Sequence, residues 1–182
     1  MPGARTSLRP RGFTLVSALV TIAVLGISMA VATPALWEIL YEIKLKQAAR
    51  EAITAMRAAR YRAINEVREF GVLARLPDRI QVFEGTDPLD LDAVRQEILL
   101  PGGIFIGGPA AAVPPGGTHG FDTNAAGAFV IFNSDGTATA SGGIRLSNPN
   151  LHYIEVGLDP ATTARLQLKT WNPATGEFEE NG

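Results

Sequence analysis

Cysteine is absent from the 182 residues, which excludes a disulfide scaffold, thiolate zinc sites and a cysteine nucleophile but not a home outside the cytoplasm. Histidine is nearly absent too: His119 and His152 are the two in the chain, and neither sits at metal-ligand spacing. There is no H-E-x-x-H, no phosphate-cradling Gly-Lys-Ser/Thr loop, no G-x-S-x-G elbow and no G-x-G-x-x-G after a strand. No catalysis, metal or cofactor is therefore expected, although a Ser–His–Asp site assembled in space leaves no linear trace. Asp87, Asp90 and Asp92 lack the glycine and distal glutamate of an EF-hand. Asp122 and Asn124 could hold calcium weakly, but turn formation is their ordinary role. Charge is scarce as well, at 19% with a net −2, which excludes a globally basic nucleic-acid binder. What is plentiful is apolar surface, 46% of residues, enough to build a core and to exclude a disordered chain. The length suits one domain plus an appendage.

The charge is unevenly spread. Arg5, Arg9 and Arg11 give the first 12 residues +3, and no charged side chain occurs from Gly12 to Trp37. Residues 38–70 carry seven basic and five acidic groups, and residues 71–182 carry six and thirteen, for −7. The order is basic leader, apolar span, mildly basic helix and acidic head.

The apolar run from Phe13 to Thr33 has 21 residues, and a bilayer core needs about 20 in helix. Its hydroxyls can bond back to the helix. Arginines before it and no acid predict a cytoplasmic N-terminus by the positive-inside rule, with everything after Trp37 outside. A buried helix of a soluble protein is the alternative, as is an ordinary secretory signal cut near Ala30, Val31 and Ala32.

Arg11-Gly12-Phe13-Thr14-Leu15, the apolar run and Pro34 together resemble the class III signal of type IV pilins and pseudopilins. The resemblance implies cleavage after Gly12 by a prepilin peptidase, N-methylation of Phe13, and retention of the span as a filament core. Thr14, Leu15, Ser17 and Pro34 then become assembly positions. Pro34 stands where the family has its helix-kinking proline. Ser17 stands where the family usually has a glutamate thought to attract a neighbour's N-terminal amine. Two accounts of Ser17 stand side by side: an adaptation to the filament tip, where that pairing is needed on one side only, or a tolerated replacement.

Beyond Trp37 the helical pattern continues to about Phe70. Leu45, Ala49, Ala52, Met56, Ala59, Ala63, Val67 and Phe70 recur at spacings of three and four, and Gly71 supplies a stop signal. Lys44, Lys46, Arg50, Arg57, Arg60 and Arg62 flank this face, read as a solvated side with nucleic acid or headgroups as the rival. After Gly71 the composition turns to β-branched residues, glycine and turn pairs. Short strands are predicted at Arg79–Phe83, Ile98–Leu100, Ile104–Ile106, Ile144–Leu146, Tyr153–Val156 and Ala164–Leu168. Asp87 to Arg95 is ambiguous, with room for one helical turn capped by Asp90 or Asp92, and Gly107 to Gly127 reads as a long surface loop. An Asp-Gly turn at Asn133–Gly136 predicts a hairpin between Ala128–Phe132 and Thr137–Ala140. The expected fold is α+β: a long helix whose apolar stripe packs on one face of an antiparallel sheet.

Phe132 to Asn148 resembles the aromatic–Asn–x–Asp-Gly hairpin of the H-type pseudopilins (GspH/FimT-like). The organisation implied is a leader at 1–12, a transmembrane and filament-core helix at 13–36, an amphipathic helix at 37–71 and a β-rich extracytoplasmic head at 72–182. The implied function is that of a minor pilin or pseudopilin, assembled into a type IV pilus or type II secretion pseudopilus at or near its tip. Implied partners are other pilin-like subunits, the prepilin peptidase, an inner-membrane assembly platform with its cytoplasmic ATPase, and the lipid bilayer before assembly. FimT-like members can bind DNA in transformation, which makes DNA uptake the rival function, with Arg145, Arg165 and Lys169 as candidate contacts. The acidic tail from Thr170 to Gly182, in which Trp171 is read as packing on the sheet, works against it. From another class, a membrane-anchored binding domain or an unrecognised hydrolase remains.

Overall fold

The computed structural model describes residues 15–112 and 116–180. Its contacts divide the chain into two compact units, Met1–Glu38 and Ile39–Gly182. Helix α1 (Leu15–Glu66) passes through both, with Pro34 inside it. In the first unit, no large apolar side chain of the described helix is buried: Leu15, Val16, Leu19, Ile22, Leu25 and Val31 are all more than half exposed. Thr21, Ser28 and Thr33 donate their hydroxyls to the carbonyls of Ser17, Val24 and Met29 at 2.8, 2.9 and 2.7 Å. Such back-bonding leaves a helix surface with no polar group seeking water. Among the described residues α1 is the helix long and apolar enough to cross a membrane.

In the second unit, α1 buries one stripe: Leu45, Ala48, Ala49, Ala52, Ile53, Ala55, Met56, Ala59 and Ala63. Alanine dominates that face, so backbone and sheet can approach closely. The helix ends at Glu66 rather than near Phe70. Val67 takes φ 51°, a left-handed conformation that stops the helix, and its side chain is exposed. Phe70 then opens β1 (Phe70–Arg75), so Gly71 is a strand residue rather than a stop.

Two antiparallel sheets follow. The first has the order β3-β2-β1-β7-β6, with β2 (Arg79–Glu84), β3 (Val94–Leu99), β6 (Asp122–Asn124) and β7 (Gly127–Phe132). The second runs β11-β10-β9-β8-β4, with β5 also paired to β8. Its members are β4 (Phe105–Ile106), β5 (Thr118–His119), β8 (Gly142–Ser147), β9 (Tyr153–Leu158), β10 (Leu166–Asn172) and β11 (Glu177–Glu180). Every other residue joins the core, as the period of two requires: Phe70, Val72 and Ala74; Val130 and Phe132; Ile144 and Leu146; Ile154, Val156 and Leu158.

Several expectations are corrected here. There are two sheets rather than one. The first sheet is apolar on both faces, because Leu73, Phe83 and Ile131 form a second small core on its far side. The far end of the Phe83 ring occupies the space over Gly71, its register partner, where any Cβ would meet it. The loop from Gly107 to Gly127 contributes β5, β6 and the buried Phe121. By contrast, the single helical turn expected between Asp87 and Arg95 is present as a 3₁₀ turn, Leu91–Ala93, following Asp90, whose Oδ1 accepts the Asp92 N–H at 3.0 Å.

The Asp-Gly turn is present, with the Gly136 N–H donating to the Asn133 carbonyl at 2.9 Å and Gly136 at φ 83°. Its second arm is not a strand. Ala138 makes a single bridge to Phe132 and then donates its N–H to the Ala161 carbonyl at 2.8 Å. The segment after the turn is the crossover between the sheets. It is tied to β7 where Thr139 Oγ1 accepts the Ile131 N–H at 3.2 Å.

Candidate functional site

Two surfaces could carry function: the bare helix of the first unit and a charged row on the second sheet. Of the assembly positions, Leu15, Ser17 and Pro34 lie on α1, with Leu15 77% exposed. Gly12, Phe13 and Thr14 lie outside the described residues.

The charged row follows from register. Arg145 stands opposite Glu155, Glu155 opposite Lys169, and Lys169 opposite Glu180. Opposite charges thus alternate across four neighbouring strands on the face turned away from the core. Arg145 and Glu155 are nonetheless buried. Arg145 Nε donates to Glu155 Oε2 at 2.8 Å, and its guanidinium lies 4.9 Å from the centroid of the Phe178 ring. Phe178 in turn meets Trp171 edge-on at 5.1 Å between centroids. His119 Nε2 is 3.0 Å from the same carboxylate oxygen, and Lys169 Nζ is 3.9 Å from Oε1. A Cβ at Gly143 would press within 3.0 Å of His119 Nε2 and 3.1 Å of Glu155 Cγ, so glycine there makes room for the cluster.

Burial pushes the Glu155 carboxyl up, but the close approach of His119 and the hydrogen bond and charge of Arg145 outweigh it and hold the group below its ordinary value. A cleft of ≈410 Å³ opens beside these groups, bordered by His119, Arg145, Glu155, Trp171 and Phe178. Chemically the cluster is a compensated ion pair. It ties β5, the β8–β9 ladder and the β10–β11 hairpin together, and breaking one partner would leave the other buried and uncompensated.

The three cations proposed as DNA contacts are all drawn to carboxylates. Arg145 is buried on Glu155, Lys169 leans toward the same group, and Arg165 lies 3.2 Å from Glu180. His152 is exposed and far from ligand geometry, its N–H donating to Asn148 Oδ1 at 3.0 Å. Asn124 Oδ1 accepts from Ala126 and Gly127 at 2.8 and 3.2 Å, a turn role. Asp135 Oδ1 accepts from the Thr137 hydroxyl and N–H at 2.6 and 2.9 Å, and these bonds hold its carboxyl below the ordinary range. The Arg145–Glu155 pair has one signal in the sequence. Ile144-Arg145-Leu146 and Ile154-Glu155-Val156 each centre a charge of opposite sign in an apolar strand, as a cross-strand pair does.

A bare apolar N-terminal helix and an α+β head whose helix packs on antiparallel sheets define a pilin-class subunit. Residues 8–33 match the prokaryotic N-terminal methylation motif, and residues 48–169, more than half of the chain, match the type II transport protein GspH. The chain belongs to the GspH family, the minor pseudopilins of type II secretion. It is also similar to the solved minor pseudopilin EpsH from the Type 2 Secretion System of Vibrio cholerae. That likeness is 15% identical, with a TM-score of 0.46, over 68% of this chain and 95% of the other. No curated protein matches the chain.

Proposed function

We propose that this pseudopilin is cleaved between Gly12 and Phe13, N-methylated at Phe13, and drawn from the cytoplasmic membrane into a pseudopilus at or near its tip. It works by assembly rather than catalysis. The observation that carries the proposal is the helix surface from Leu15 to Thr33: large apolar side chains are exposed all round, with no charge among them. Such a surface needs lipid first and neighbouring helices later. The basic leader favours a cytoplasmic N-terminus before assembly. Partners in this proposal are other pseudopilins through that helix, the prepilin peptidase and the inner-membrane assembly platform.

Tip placement rests on Ser17, which gives the membrane segment no charge to pair with a neighbour. Ser17→Glu should leave cleavage intact and change the number of copies per sheared filament. Equal copy number for both forms would count against tip placement. DNA uptake is not favoured, since Arg145, Arg165 and Lys169 each lie beside carboxylates.

A further inference from the structure

Within the second unit, one flank of α1 is left uncovered by the first sheet. At about 3.6 residues per turn, Ile43, Gln47, Arg50, Thr54 and Ala58 line up along that flank. They border a groove of ≈650 Å³ whose opposite wall is β3, at Gln96 and Ile98. Gln96 and Ile98 stand opposite Val82 and Ile80 of β2, both core residues packed with the helix. They therefore continue the helix-side row of the first sheet. β3 is the last strand of that sheet, and among the described residues no strand pairs with its outer side. Its register with β2 shifts once, between Val82 and Phe83, and is regular from Gln96 to Leu99.

The groove is the space a sixth strand would take. Ile43 to Ala58 covers roughly 22 Å of helix, the length of about six or seven extended residues. The lining also states what such a strand must carry. Ile43 is 55% exposed and calls for apolar contact. Lys46 is paired with Glu42 at 2.6 Å, and Glu51 accepts from Gln47 at 2.9 Å. Arg50 is exposed and, among the described residues, has no ion-pair partner. On the far face of β3, Arg95 and Glu97 are already paired with Glu84 and Arg79.

This chain does not hold a matching donor. Its edge strands β4 and β6 have two and three residues. The apolar side chain of β11, Phe178, is engaged with Trp171 and Arg145. β3 of a second copy would bring Gln96 and Ile98 to the groove and no carboxylate to Arg50.

We propose that an extended segment of a different pseudopilin adds to the outer edge of β3 as a sixth strand. Its alternate apolar side chains fill the groove and one carboxylate on it meets Arg50. Main-chain pairing supplies affinity in such a contact, and the side chains facing the groove supply specificity. The free edge admits one neighbour, as suits a subunit present in few copies. The contact rests on the chain being a pseudopilin that assembles with others.

The absence of cysteine makes the test clean. The full-length Leu99→Cys chain, carrying a benzophenone on its thiol, is irradiated in detergent with each of the other pseudopilins of its own system in turn. Leu99 is 63% exposed on the face of β3 turned from the helix, so the label reaches an added strand without filling the groove. One pseudopilin should cross-link, at a segment apolar at alternate positions and carrying an acid. The same label at Tyr61→Cys, in the separate groove bordered by Arg57, Arg60 and Arg165, should not reach that segment. Amides from Gln96 to Leu99 should exchange more slowly in the mixture. Arg50→Glu should cut the cross-linked fraction about tenfold, and Arg50→Lys should keep most of it. Thr54→Trp, which fills the groove from an exposed position, should abolish the cross-link and leave unfolding of the head unchanged. A cross-link without protection of the β3 amides overturns the added strand. So does a cross-link confined to copies of this chain, or none from a folded one. If the chain still enters filaments in those cases, only this inference fails. If the wild-type chain enters none, the filament role fails and this contact with it.

Discussion

The two stretches of α1 are one helix with opposite fates. From Leu15 to Glu38 its large apolar residues are exposed, and from Ile39 to Glu66 a single stripe, mostly alanine, is buried beneath two sheets. Bulky Val, Leu and Ile all round suit a helix whose solvent is lipid or other helices. Small residues on one face suit a helix that must lie close to a sheet. Apolar character alone therefore does not mark a core: its distribution round the helix and the size of the side chains do. The contrast also separates two kinds of specificity, since the bare stretch carries no charge before Glu38 and all ion pairs among the described residues lie after Ile39.

Removing bulk should separate the stretches most sharply. Phe132→Ala, at a fully buried position, should cost the head about 3–5 kcal/mol by the lost transfer energy and the cavity left behind. Leu25→Ala, at an exposed one, should leave denaturant unfolding of the head unchanged and instead weaken retention in membranes. Equal effects of the two on head stability would erase the contrast.

Glu155 tests the charged row. Glu155→Gln should cost about 3–5 kcal/mol at neutral pH, because Arg145 is left buried without its carboxylate. The folded protein holds this carboxyl below its ordinary value, so the stability it contributes is present above the ordinary glutamate range. That stability is lost as pH falls through the lowered folded value. The wild-type chain should therefore lose head stability on acidification, with a shallower slope in the glutamine variant. Parallel pH profiles of thermal unfolding would remove the pair from the account.

Adding bulk is a gentler probe. Ala52→Leu crowds a fully buried site and should cost about 1–3 kcal/mol. Ala23→Leu, on the exposed stretch, should shift the head's unfolding by no more than about 0.5 kcal/mol, as surface changes do. Ser17→Glu sits at the end of the scale, with no change in head stability and its effect confined to copy number in filaments.

Much of the second unit is legible locally. Leu45 to Ala63 marks its face by spacing, and β2, β7, β8 and β9 announce themselves by alternation and turn residues. What is not legible depends on distant partners. Phe70 continues the rhythm of Ala63 and Val67, so it reads as the end of the helix and the start of β1 is hidden. Only its pairing with residues 79–84 and 128–132 makes it a strand. Glu177 to Glu180 reads as an acidic tail because its reason to fold is Phe178 against Trp171 and Arg145. Arg145 reads as a surface cation until the register sets Glu155 opposite. The basic flank at Arg57 and Arg60 is visible as composition. That Arg165 joins it to form a groove is not, since over a hundred residues separate Arg60 from the Ala164 carbonyl it reaches.

The central claim is that the bare helix is retained and put to use rather than cut away. Intact-mass and N-terminal peptide analysis of the protein from membranes, co-expressed with its processing enzymes, tests it most directly. The account predicts a mature chain that begins at N-methylated Phe13 with the apolar helix intact. A chain that begins at Met1, or after the Ala30–Ala32 region, would contradict it.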